Sequence, residues 1–464
     1  MYLHRKRAIV TPVVRKQIYY TVKALTGSQS PRIYEERLAE FHRGISPNTV
    51  DDALARLLKH CADKVPYYRG IFAKLGVRVG SDANPRDFVA MLPILTRDLL
   101  SNEFEALKST DMDMRKGARV NSSGGSTGEP VRLIQDDRYR AEASANTLLY
   151  SSLVGKQPAE LEVRLWGSER DIFENGIGFK ATLQYLITNT RFLNAFRMTP
   201  EKMREFLGVI DGSRPALIMA YAQALYELAQ YAFENGIQVA PQRAVMTSAG
   251  TLHSFMRDKI EQVFACPVYN RYGSREVGDV ACQLPANSGT GEGLWVAPWG
   301  TYVEIVDDEG HSVPAGTEGN ILVTSLANYT MPLIRYKIGD RGILQSENHS
   351  GPVGQVLQRV TGRVTDNLRT KDGRVIPGEY FIHLIGVVLN NGKIRKFQVE
   401  QLDYSHVMVR IVPLAGPFNT DDLVHKIQLV MGGSECDVEV AFVDSIAESN
   451  SGKYRYTICR VNEH

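Results

Sequence analysis

A chain of 464 residues outgrows one ordinary hydrophobic core, so it should divide into a large domain and at least one smaller one. Its formal net charge of +2 gives no general attraction for nucleic acid or an acidic partner. The five cysteines (Cys61, Cys266, Cys282, Cys436 and Cys459) are odd in number and contain no C-x-x-C, so they support neither a disulfide framework nor a zinc ribbon. Reduced thiols in a cytosol are the expectation, several of them acting as small buried hydrophobes.

The first thirty-four residues hold seven Lys or Arg, and no acid precedes Glu35. Interleaved with Ile9, Val13, Val14, Ile18 and Val22, they read either as a helix packed on its own domain or as a segment lying weakly on an anionic membrane surface. The start lacks a continuous apolar core and a cleavage site, so no signal peptide is expected. The most apolar window, 216–233, is interrupted by Gln223 and Glu227 and is not expected to span a bilayer.

Ser46-Pro47 should cap a helix whose stripe is Val50, Leu54, Leu57, Leu58 and Cys61, ending before Pro66. Leu92-Pro93-Ile94-Leu95-Thr96 reads as an extended link, with Thr96 capping a helix that carries Leu99 and Leu100. Residues 121–130 form a Gly- and Ser-rich stretch followed by a strand with Val131, Leu133 and Gln135 on one side, so the stretch reads as the turn of a hairpin. Beyond it strands and helices alternate: strand 216–220, helix 222–234 with its stop at Asn235-Gly236, strand 244–247, turn 248–250, helix 255–264 and strand 267–269. This argues for a mostly parallel sheet covered on both faces. Residues 295–323 alternate more like antiparallel strands, with turns at 308–310 and 316–319. The fold class is therefore α/β: parallel-type sheets covered by helices, a β-rich part, and a small C-terminal α/β unit.

In the turn of the hairpin, three glycines free backbone N–H groups to curl into one concavity, and the hydroxyls of Ser123, Ser126 and Thr127 add donors, as a phosphate cradle requires. On composition alone it is equally a flexible surface loop. No G-x-x-x-x-G-K-[ST] occurs, so a Walker loop is excluded. Tyr272-Gly273-Ser274-Arg275-Glu276 follows a parallel strand at its carboxyl end, where an aromatic can stack on a base and a carboxylate can hold Mg²⁺ against phosphate. Asp340 follows a glycine turn and suits the two hydroxyls of a ribose, and Arg363 adds a cation. Lys453, read alone, is surface decoration on a loop.

Taken together, the order and spacing of these stretches resemble the AMP-forming acyl-adenylating superfamily of acyl–CoA synthetases, luciferase and peptide-synthetase adenylation domains. Within it the chain looks closest to phenylacetate–CoA ligase and its relatives encoded with capsular-polysaccharide genes; Val65-Pro66-Tyr67-Tyr68-Arg69 and the Leu92–Thr96 string are typical of that branch. The resemblance implies that Ser123, Gly124, Gly125, Ser126, Thr127 and Gly128 grip ATP phosphates. It implies an adenine slot at Ser248, Ala249, Gly250 and Tyr272, further nucleotide contacts at Gly273 and Ser274, a Mg²⁺ contact at Glu276, and a ribose clamp of Asp340 and Arg363. Lys453, with Thr127 and Glu276, would carry the chemistry. It departs from the family pattern at Glu129, where many relatives have lysine, at Arg275, where Ser or Thr is usual, at Thr365, and at Phe381, where a carboxylate often stands.

The resemblance further implies a basic segment over 1–45, an adenylation core over 46–361 and a mobile lid over 362–464. The expected substrates are ATP with Mg²⁺, a small carboxylic acid, and CoA as acceptor, in the cytoplasm and without nucleic acid. Two readings stay open beside it: transfer to an amine or hydroxyl of a sugar precursor, and a degenerate nucleotide-binding partner protein. Trp166-Gly167 is expected near the acyl pocket, or as core.

Overall fold

The computed structural model describes residues 11–461 apart from 79, 81–83, 114–116, 123–131, 168–185, 196–197, 251, 346–350, 362–366, 377, 386–388, 390–392, 414–419 and 447–455. The basic start forms α1 (Pro12–Leu25), capped by Thr11, followed by α2 (Ser30–Arg43). Helix α2 packs on α7 (Asp137–Leu153): the Tyr34 hydroxyl lies 2.8 Å from Ser152 Oγ, and the buried Arg37 guanidinium pairs with Glu142.

Helix α3 (Thr49–Lys64) buries all five residues of the anticipated stripe, each worth about 1.5–3 kcal/mol when fully removed from water. It starts at Thr49 rather than at Ser46-Pro47, because Ser46 first closes a turn by accepting from Asn48 N at 3.3 Å and Thr49 N at 3.1 Å. Pro66 opens α4 (Pro66–Leu75), as a residue without N–H does best at a first helical position. Helix α5 (Pro85–Met91) then leads through the extended link to α6 (Arg97–Asn102), where Thr96 Oγ1 accepts from Leu99 N at 3.2 Å, the cap read from sequence.

Strands β1 (Arg119–Ser122) and β2 (Arg132–Gln135) pair antiparallel with Ser122 opposite Arg132, so the glycine-rich stretch does join the arms of a hairpin. Leu133 and Gln135 are buried as the alternation predicts, but so is Ile134, because the chain at 328–331 covers the other face. Asn328 Nδ2 donates to the Ile134 carbonyl at 2.9 Å and Thr330 Oγ1 to Asp136 at 2.6 Å, fixing the hairpin at its base.

The main sheet contains β3 (Glu162–Trp166), β4 (Thr190–Asn194), β5 (Leu217–Tyr221), β6 (Val245–Ser248), β7 (Val268–Ser274), β8 (Gly278–Gln283), β9 (Leu294–Val296), β10 (Thr301–Val306), β11 (Glu318–Ser325), β12 (Tyr336–Leu344) and β13 (Gln355–Thr361). Their spatial order is β10-β11-β12-β13-β9-β8-β7-β6-β5-β3-β4. From β4 to β7 the pairing is parallel, as the strand–helix alternation requires, and from β7 onward it is antiparallel. The mixed α/β expectation holds. Helices Pro200–Ser213, Ala222–Glu234 and Ser254–Phe264 bury their apolar stripes on one face of the parallel part, and α2 and α7 pack against the other. Of the expected turns, Gly310 (φ +92°) and Gly316 (φ +85°) stand where a left-handed backbone is needed, whereas Glu318 and Gly319 already belong to β11.

A separate core follows. Strands β14 (Leu368–Arg369) and β15 (Val375–Ile376) pair with each other, and β16 (Ile394–Asp403), β17 (His406–Pro413), β18 (Asp437–Phe442) and β19 (Thr457–Cys459) form a sheet in the order β18-β17-β16-β19. Phe381 fills this core together with Phe397, Val399, Leu423 and Ile427, which gives a packing reason for an aromatic at that position. All five cysteines are free, and four are buried; burial pushes the Cys266 thiol up to about 12, with the Glu261 charge adding to it.

Candidate nucleotide site at the carboxyl edge of the sheet

Strand β7 outruns its parallel neighbour. Pairing with β6 covers only Val268 to Asn270, while Arg271 to Ser274 continue past the carboxyl edge and pair antiparallel with β8. Tyr272, Gly273 and Ser274 therefore lie on the strand itself, which runs beyond the expected end at Tyr269. Gly273 is required there: a Cβ would come 2.3 Å from the Gly278 carbonyl oxygen. At the end of β6, Ser248-Ala249-Gly250 makes the anticipated turn, and Ala249 takes φ +57°, a conformation costly for a residue with a side chain and often kept at binding sites.

Asp340 reaches the same edge from β12. Leu322 of β11 faces Lys337 and Asn320 faces Arg341, so residues 338–340 bulge outward, with Gly339 at φ +96°. The bulge aims the carboxylate at β7, and the Tyr272 hydroxyl donates to Asp340 Oδ2 at 2.8 Å.

Glu276 closes the group. It is only 4% exposed, and its Oε1 lies 3.1 Å from Arg97 Nη2 and 3.4 Å from the Tyr336 hydroxyl. Gln135, at the base of the glycine hairpin, donates through Nε2 to the carbonyls of Arg275 (3.2 Å) and Glu276 (3.4 Å) and accepts from Asn121 Nδ2 at 2.9 Å. Arg97 is brought in by the 92–95 link, whose Leu95 bonds both Arg335 O and Lys337 N at 3.0 Å. Arg335, buried and at φ +52°, locks that link by donating to the carbonyls of Ala90, Leu92 and Gly310, while its own charge lies 3.1 Å from Glu304. Burial raises the Glu304 carboxyl and the arginine opposes the rise.

Of the site residues read from sequence, Tyr272, Glu276 and Asp340 thus come together, joined by Gln135, which the sequence placed only on a strand. Ser123, Gly124, Gly125, Ser126, Thr127, Gly128, Glu129, Arg363, Thr365 and Lys453 lie outside the described residues. Arg275 is exposed, and the cation beside Glu276 is Arg97, which the sequence reading passed over. One signal for it existed: an arginine at the first position of a helix opposes the helix dipole and calls for a carboxylate elsewhere. Trp166 ends β3 with its ring 4.2 Å from that of Tyr221 at the end of β5, on the α7-facing side of the same edge.

One buried hydroxyl stands out at this edge. Ser274 Oγ is buried with no hydrogen-bond partner among the described residues. A metal has a narrower fit. No cluster of three or more His, Cys, Asp or Glu exists among the described residues, so Glu276 suits Mg²⁺ only as one ligand of an ion carried in on phosphates.

Residues 192–331 match the family model described as AMP-binding enzyme, and residues 368–460 match the CapK C-terminal domain. The chain is 25% identical over 284 residues to Protein CapK of Staphylococcus aureus, an alignment covering 58% of each chain. It is 24% identical over 369 residues to a phenylacetate–coenzyme A ligase of Thermus thermophilus, covering 76% of this chain and 78% of that relative. A solved 2-hydroxyisobutyryl-CoA ligase, in complex with 2-HIB-AMP and CoA in the thioesterification state, shares the fold with a TM-score of 0.58 at 19% identity over 89% of both chains. An open conformation of that ligase gives 0.54 at 19% identity, covering 88% of this chain and 90% of that one. By fold and by these matches the chain is similar to the AMP-forming acyl-adenylating superfamily. Within it, the similarity is to the phenylacetate–CoA ligase-like branch that includes CapK.

Proposed function

We propose that this protein is an ATP-dependent ligase that activates a carboxylic acid as its acyl-adenylate, releases pyrophosphate, and passes the acyl group to CoA. The observation that carries the reading is the meeting of Tyr272, Asp340 and Glu276 beside the base of the glycine hairpin, residues far apart in sequence. In this reading Tyr272 and the 248–250 turn border the adenine, Asp340 accepts from the ribose hydroxyls, and residues 123–128 hold the phosphates. A carboxylate oxygen attacks the α-phosphorus and pyrophosphate leaves in line. Mg²⁺, held by Glu276 and the phosphates, would supply charge neutralisation. Lys453, on a lid formed by 362–464, would stabilise charge that develops on the reacting oxygens. The mixed anhydride then reacts with a thiol. The setting proposed is the cytoplasm.

The match of residues 368–460 to the CapK C-terminal domain favours a second reading of the acceptor, an amine or hydroxyl of a sugar precursor, with adenylation unchanged.

Asp340→Ala tests the nucleotide assignment. Losing one charged acceptor should weaken ATP by about 1.5–3 kcal/mol, roughly 10- to 150-fold, by isothermal titration. Tyr272→Phe, which removes only the hydroxyl bonded to Asp340, should cost far less. Unchanged ATP affinity in a folded Asp340→Ala protein would contradict the ribose role.

A further inference from the structure

Helix α1 presents an unusual surface. Among its exposed residues are Val13 (78%), Val14 (49%), Ile18 (48%) and Leu25 (82%). At 3.6 residues per turn these four fall within an arc of about 140°. The remaining positions of that arc are Gln17, Thr21 and Ala24, so the arc carries no charge, and the exposed Lys16 stands beside it.

The charged residues of α1 lie off this arc, and all of them are basic. Lys16 and Lys23 stand over the rings of Tyr20 and Tyr19, each 5.7 Å from the centroid, and Arg15 donates to Asn189 at 3.1 Å. The opposite side anchors the helix through the buried Tyr19. The first acids of the sequence, on α2, are engaged: Glu35 accepts from the Tyr20 hydroxyl, and Glu36 lies 3.8 Å from Arg32. In the sequence, Arg5, Lys6 and Arg7 precede the helix without an acid.

We propose that the outer face of α1 docks on an anionic lipid surface. The helix would lie in the plane of the interface, its valine, isoleucine and leucine side chains entering the headgroup boundary while flanking lysines reach anionic headgroups. Positive charge without negative charge selects anionic lipid over a neutral bilayer or an acid-poor protein face. Spanning is not involved, since no helix among the described residues is long and apolar enough to cross a membrane. The surface is independent of the nucleotide site.

Flotation of the full chain with phosphatidylcholine vesicles, with and without phosphatidylglycerol, tests this. Binding is expected with the anionic vesicles only, and it should weaken as salt is raised. The double variant Val13→Ser, Leu25→Ser should bind about tenfold more weakly or worse, with a nearly unchanged melting temperature because both side chains are mostly exposed. Three results would overturn the proposal: no binding by the unaltered chain, equal binding by the variant, or a self-associated species in sedimentation velocity that the same variant abolishes, which would assign the face to a second copy.

Discussion

Lys453→Ala is expected to slow adenylate formation by about two to three orders of magnitude while ATP affinity changes little. The lysine follows Gly452 near the end of the sequence, between β18 and β19 of the second core. To act, it must reach the reacting phosphate from another unit, so its contribution would be made chiefly in the transition state, and such contributions appear in kcat more than in binding. The variant should still transfer a chemically prepared acyl-adenylate to the acceptor, because attack by a thiol on the mixed anhydride needs no charge on the departing pyrophosphate to be neutralised. Measuring the half-reactions separately distinguishes the outcomes. An unchanged adenylation rate would assign Lys453 to the solvated surface, where substitution costs about 0.5 kcal/mol or less. Equal loss of both steps would remove the idea that the lid plays a different part in each.

The second large effect belongs to Arg97. Arg97→Ala removes the guanidinium that lies 3.1 Å from the Glu276 carboxylate, a group only 4% exposed. Breaking one partner of such a buried pair costs about 3–5 kcal/mol, because the remaining charge is stranded in a poorly solvating site. The melting temperature should fall accordingly. Removing both charges in Arg97→Ala/Glu276→Gln should recover a substantial part of the loss, which a double-mutant cycle reads as coupling. Under the proposed function, the double variant, which removes the Mg²⁺-contacting carboxylate, should require more Mg²⁺ for half-maximal ATP binding, whereas Arg97→Ala, which removes a competing cation and keeps the carboxylate, should not. Additive stability effects of the two substitutions would show that the ion pair contributes nothing beyond its separate members.

Much of the architecture was legible because it rests on local periodicity. The five-residue stripe of α3 repeats with helical spacing, Thr96 is a strong cap, and the strands ending at Tyr221 and Ser248 are short apolar runs bounded by helices and turns. Boundaries failed where a tertiary contact overrode a local signal. The strand expected to end at Tyr269 runs on to Ser274, where Gly273 allows close packing of β7 against Gly278. Asp340 was placed after a tight turn; the glycine does take a left-handed conformation, but as part of a bulge forced by the offset between β11 and β12. Arg97 was passed over for a different reason, since its partner lies 179 residues away and no spacing rule connects them.

Acid-dependent exchange of labelled pyrophosphate into ATP bears most directly on the central claim, run with aryl, fatty and amino acids and with Mg²⁺ present. The proposed function predicts exchange that requires one of these acids and proceeds without CoA or any other acceptor, with AMP appearing once an acceptor is added. A folded protein that gives no exchange with any acid, and neither heat nor thermal shift with ATP or AMP, would contradict it.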